Sequence, residues 1–216
     1  MNISYLNIFQ SSIGKKIIMA FTGIFLMIFL LLHLSVNLFL FLGESAFNNA
    51  VFFMKKNIII RIMEYFLASG FIIHIFMGIK LSVQNKISKG NQRYMNFFSI
   101  INALINRKMI ITGILILCFI ILHLINFSFP MKYSSNNYIS DYYIVTSLFK
   151  NPFYTFIYIF SFIILGIHLN HGFQSVFQTL GLSSKKSIVW IKLLGYFYLW
   201  FICSGFSLIA IWFFFN

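Results

Sequence analysis

Five histidines, His33, His74, His123, His168 and His171, stand inside long apolar runs, where an ionisable side chain is costly in lipid and usually marks function. Imidazole can ligate iron axially through one neutral nitrogen while its other nitrogen hydrogen-bonds to the helix or a neighbour. Two histidines facing each other at one depth would complete a six-coordinate haem iron, a state suited to electron transfer rather than oxygen chemistry. His74 is followed by Gly78 and His168 by Gly172. Residues four apart share a helix face, so each glycine clears a side chain from where a flat macrocycle would lie. His171 has no glycine one turn later, which makes His168 the expected ligand. For His171 the expectation is a contact with a haem propionate, or packing at the inner edge of the bundle.

A second regularity runs along the chain. Thr22-Gly23 precedes His33-Leu34 by the same interval at which Thr112-Gly113 precedes His123-Leu124, each after a basic residue, Lys16 or Lys108. The first two membrane segments therefore read as relatives of the third and fourth, as in internally duplicated membrane proteins.

Helices must carry these side chains. A bilayer core takes about 20 apolar residues at a rise of about 1.5 Å each. Five runs meet that length, 17–42, 58–84, 109–129, 152–177 and 188–215, and the expected fold is an all-α bundle of five transmembrane helices. Pro152 suits the first turn of the fourth span, and Gly43 and Gly181 suit helix stops after the first and fourth. Lys and Arg number eleven around the amino-terminal side of the spans and five on the other. The bias predicts the N-terminus inside and the C-terminus outside. His33 and His123 then lie past the midpoints of outward-running helices, and His74 and His168 past the midpoints of inward-running ones. That makes two pairs at two heights, roughly 10 Å apart by helical rise. The stretch 94–104 fits either a short interfacial helix or an early extension of the third span.

Composition narrows the class. Of 216 residues 60% are hydrophobic, and only Glu44, Glu64 and Asp141 are acidic. That much apolar surface cannot be hidden in one soluble core. The net charge of +13 is distributed between apolar runs, often as pairs such as Lys15-Lys16 and Lys185-Lys186, a pattern of membrane topology rather than of nucleic-acid binding. Cys118 and Cys203 lie deep in separate apolar runs, without a C-x-x-C-H attachment motif, and suggest neither disulfides nor covalent haem. The first apolar run is too long for a cleaved signal core and reads as a membrane anchor.

These residues resemble the single-chain dihaem cytochrome b that anchors succinate dehydrogenases and fumarate reductases to the membrane. The resemblance spans nearly the whole chain. It rests on S-x-G-K-K from Ser12 to Lys16, H-L-x-x-N at His33, H-x-x-x-G at His74, H-L at His123 and, most specifically, H-x-x-x-G-F-Q-S from His168 to Ser175. It implies two haem b groups, the inner on His74 and His168 and the outer on His33 and His123. It also implies an FAD flavoprotein and an iron-sulfur protein as partners on the inner side, and a bacterial cytoplasmic membrane location. Electrons would be exchanged with a quinone, often menaquinone. Some family members carry a glutamate two residues before the fourth ligand as a proton path, whereas this chain has Gly166. Glu44 and Glu64 are the carboxylates near the outer ends of the first two spans, either as handlers of quinone protons or as interface residues paired with Lys55, Lys56 or Arg61. No flavin motif or Arg-rich pocket for dicarboxylate chemistry is present. Two other readings fit the same spans. One is the dihaem cytochrome of another quinone-linked dehydrogenase or reductase; these often place two ligands on one helix. The other is a cofactor-free transporter or scaffold whose histidines relay protons or join helices.

Overall fold

Ser11 opens the first helix, its hydroxyl accepting the N–H of Gly14 at 3.0 Å. The computed structural model describes residues 11–88, 108–133 and 140–216, and all their regular structure is helical. Helix α1 spans Ser12–Asn37 and tightens into a 3-10 turn over Leu38–Leu42. Gly43 ends it with φ +94°, a backbone setting that favours glycine. Helix α2, Glu44–Lys56, follows, with an acid in its first turn and Lys55 and Lys56 in its last, the arrangement the helix dipole favours. Asn57 then caps α3, Ile58–Ser88, its side-chain oxygen accepting the N–H of Ile59 at 2.9 Å.

The third membrane segment is composite. Helix α4, Lys108–His123, widens into a π-helical stretch over Leu124–Ser128 and continues as α5, Phe129–Tyr133. The cause is Pro130, which lacks an N–H and whose ring would press on the carbonyl one turn back; the wider turn makes room. Helix α6, Asp141–Phe149, is capped by Ser140, whose hydroxyl accepts the N–H of Tyr143. Helix α7, Pro152–Thr179, starts on Asn151, with Pro152 in its first turn. It ends in a Schellman arrangement: the N–H of Leu182 reaches the carbonyl of Phe177, the N–H of Gly181 reaches that of Gln178, and Gly181 has φ +73°. Helix α8, Ser187–Phe215, closes the described chain.

Among the described residues, five helices are long and apolar enough to cross a membrane, over Ser12–Leu42, Ile58–Asn85, Met109–Lys132, Pro152–Thr179 and Ser187–Phe215. The expected spans agree with these to within a few residues. The main differences are an earlier start of the first, at Ser12, and the passage of the third through Pro130 to Lys132. The stretch 94–104 lies outside the described residues. Helices α2 and α6 were not foreseen, because hydropathy windows search for about 20 apolar residues and these are short and mixed. Their local signals are Glu44 after Gly43 and the Ser140-Asp141 pair.

Helix α7 is the most buried of the five and packs against α1, α4 and α8. α1 also packs against α3, and α3 approaches α4. α1, α3, α4 and α7 thus form a four-helix ring, with α1 and α4 on one diagonal and α3 and α7 on the other. α8 lies along α7 and α1, where Gly205 admits Leu34: a Cβ there would sit 2.7 Å from the leucine Cδ2. Large apolar side chains such as Phe156, Phe197 and Trp200 cover the outside, an apolar surface of the kind that faces lipid. At the end remote from the N-terminus, α2 and α6 form a roof. There Lys55 pairs with Asp141 at 2.8 Å and the Asn48 side-chain oxygen accepts the N–H of Tyr142 at 3.0 Å.

Candidate functional site: two histidine pairs

α1 and α4 present His33 and His123 to each other, with ring centroids 5.7 Å apart and planes nearly perpendicular at 84°. α3 and α7 do the same with His74 and His168, at 6.5 Å and 68°. Each pair therefore bridges one diagonal of the four-helix ring. An ion held between two imidazoles by metal–nitrogen bonds of about 2.0–2.1 Å would place the ring centroids about 6 Å apart, close to both observed values.

Helix geometry gives the vertical relation of the pairs. On α1, Thr22 Oγ1 lies 3.1 Å from His74 Nδ1, so the His74 pair sits near the level of Thr22. On α4, Thr112 Oγ1 lies 3.0 Å from His168 Nδ1. His33 and His123 stand eleven residues further along these two helices, about 16 Å by helical rise. Side chains lean toward their own helix N-termini, and the two pairs are carried on helices of opposite direction. Thr22 and Thr112 already mark the level of the inner rings, so the lean of His33 and His123 toward their helix N-termini is what shortens that separation.

The surroundings differ between the levels. Phe29 stacks on His33 at 5.3 Å, Phe206 lies 5.6 Å away, and Phe119, Phe127 and Tyr158 ring His123. Tyr158 is almost fully buried and its hydroxyl accepts from Asn126 Nδ2, at 3.2 Å, inside the π-helical stretch. His123 Nδ1 is buried with no hydrogen-bond partner. At the other level the threonines hydrogen-bond the imidazoles, and the adjoining glycines lie beside them. A Cβ at Gly23 would lie 3.8 Å from His74 Cε1, and one at Gly113 3.7 Å from His168 Cε1. The Thr-Gly repeat seen in the sequence thus faces the histidine of the next helix, a role that spacing alone did not reveal.

Gly172, one turn beyond His168, faces open space: nothing lies within 4 Å of a Cβ built there. Gly78, one turn beyond His74, meets only the Met19 methyl, at 3.5 Å. The Gly172 face is thus open, and the Gly78 face is bordered by a flexible methionine. His171 is exposed, unlike the four half-buried ring-paired histidines. Glu44 is exposed in the first turn of α2, and Glu64 pairs with Lys132 at 2.8 Å, both side chains about half exposed. The partner of Glu64 is none of the expected Lys55, Lys56 and Arg61: Lys55 joins the roof, and the Pro130 continuation carries Lys132 across to α3. Gly166 is buried against α8, where a Cβ would come within 3.1 Å of Cys203 Sγ, so helix packing fills the position at which a longer side chain would need room.

Chemically, each pair offers two neutral nitrogens and nothing else. Among the described residues no three His, Cys, Asp or Glu side chains converge on one point. A metal taken by either pair would need its remaining positions filled by a group the protein does not supply, such as a planar macrocycle. Compared with protein-family models, curated proteins and solved structures, the chain matches none.

Proposed function

We propose that this chain is the dihaem cytochrome b membrane anchor of a succinate dehydrogenase or fumarate reductase, passing electrons between an iron-sulfur subunit and a membrane quinone, most simply menaquinone. The observation that carries the reading is the convergence of four histidines, one from each of four spans, into two pairs across the two diagonals of the bundle. His74 and His168 would hold the haem nearer the cytoplasm, and His33 and His123 the one nearer the outer face. Bound there, haem b supplies reversible one-electron chemistry at two depths of the membrane.

The chain's own contribution is positional. Four helices hold the imidazoles in an apolar setting, and aromatic side chains surround the outer pair. Gly172 leaves its face beside the inner pair open, and the Gly78 face meets only a flexible methionine. The eleven-to-five bias of basic residues supports a cytoplasmic N-terminus in a bacterial inner membrane, which sets the inner pair beside the FAD and iron-sulfur partners. The dicarboxylate step belongs to those partners.

A reduced-minus-oxidised spectrum of membranes containing the chain tests the reading directly. A b-type band with two haems per chain, and co-purification of a flavoprotein and an iron-sulfur protein, are expected. Absence of the band would leave the cofactor-free transporter or scaffold. A band with different partners would point to another quinone-linked dehydrogenase or reductase.

A further inference from the structure

We infer that Thr22 and Thr112 are positioning residues that fix His74 and His168 as their Nδ1–H tautomers and so present Nε2 as the ligating nitrogen. The inference rests on the proposed function for its haem readout, but its core is a hydrogen-bond argument. A threonine hydroxyl has one proton to donate and lone pairs to accept. Thr22 Oγ1 lies 3.0 Å from the carbonyl of Ile18 and 3.1 Å from that of Met19, and Thr112 Oγ1 lies 3.2 Å from that of Met109. Carbonyl oxygens only accept, so the hydroxyl proton turns back to its own helix. With the hydroxyl proton on its own helix, the nitrogen facing the hydroxyl, at 3.1 Å on His74 and 3.0 Å on His168, is the donor. Its proton is placed on Nδ1, and Nε2 keeps the lone pair.

The device occurs twice, in the two copies of the Thr-Gly repeat, and each copy serves a histidine on the next helix in the ring. Such hydrogen bonds fix ring orientation and raise ligand basicity. A more basic axial nitrogen favours the oxidised metal, so the inner haem would be held at a lower potential than without the threonines. His123 shows the contrast, since its Nδ1 is buried with no partner.

The test compares Thr22→Val and Thr112→Val, which keep shape and lose the hydroxyl, with Thr22→Ser and Thr112→Ser, which keep it. Haem content, a redox titration and ¹⁵N spectra of histidine-labelled, dithionite-reduced protein are recorded on each. The valine variants should lose about 10–100-fold in inner-haem affinity, with any retained inner haem at a raised potential, while the outer haem is unchanged. The serine variants should match wild type. The Nδ1–H signals assigned to His74 and His168 should carry a hydrogen-bonded shift in wild type and serine variants and lose that shift in the valine ones. Valine variants with both haems at wild-type potentials would overturn the inference, as would serine variants that fail like the valine ones. If wild-type protein carries no haem, the proposed function fails separately. The ¹⁵N spectra then decide the inference alone: Nδ1–H on His74 and His168 upholds it and Nε2–H overturns it.

Discussion

His168 and His171 are three residues apart on one helix, yet only His168 meets a partner ring, His74, while His171 is exposed. Alanine at His33, His74, His123 or His168 should therefore each remove one of two haems, read by haem content per chain, whereas alanine at His171 should remove none. Loss of haem from the His171 variant with retention in the His168 variant would reverse the assignment. Gly172 gives a second test, because its effect should change sign with the cofactor. Without haem, a methyl at Gly172 enters open space and removes a helix glycine, a gain of up to about 1 kcal/mol in thermal unfolding. With haem, the same methyl occupies the face beside the inner ligand, so Gly172→Ala should lower inner-haem occupancy. Unchanged haem content in that variant would remove the glycine from the site. The histidines were legible in the sequence because ionisable side chains are rare in apolar runs. The threonines were not, because a hydroxyl inside a span usually bonds its own helix, and only the third dimension shows the imidazole on its other side.

Among the elements, the third span departs most from its sequence pattern. The apolar run read by length ends at 129, just before Pro130, and a proline inside a helix removes a hydrogen bond and crowds the preceding turn. Instead the chain takes up the conflict as a π-helical stretch over Leu124–Ser128, directly after His123, and carries on to Lys132. Such wide turns recur at functional sites. Here the stretch directs Asn126 to Tyr158 and Phe127 against His123. Pro130→Ala would let the ordinary α-helical register return and rotate both side chains. The expected result is a changed ligand-field spectrum for the outer haem with the inner haem unaffected; equal change in both would mean that Pro130 acts on the bundle as a whole. The other spans were legible to within a few residues, because length and apolarity are the whole requirement for crossing a membrane. α2 and α6 were not, since their positions depend on contacts with each other, such as Lys55 with Asp141, rather than on any long apolar run.

For the whole molecule, the deciding property is the direction in which the five candidate spans among the described residues cross a membrane. The eleven-to-five bias of Lys and Arg along the sequence predicts, by the positive-inside rule, that the N-terminal end faces the cytoplasm. On the proposed function, the flavoprotein and iron-sulfur partners would then meet the end that carries the His74–His168 pair. Asn49, exposed on α2, and Lys185, exposed between α7 and α8, report on the two ends. Cysteine introduced at either can be probed with a membrane-impermeant maleimide, since Cys118 and Cys203 lie within spans where such a reagent does not reach. In right-side-out vesicles Asn49→Cys should be labelled and Lys185→Cys protected, and inverted vesicles should exchange the two results. Labelling of Lys185→Cys from outside would turn the molecule over. The His74–His168 pair would then lie nearer the outer face, and soluble cytoplasmic partners would have to meet the roofed end beside His33 and His123.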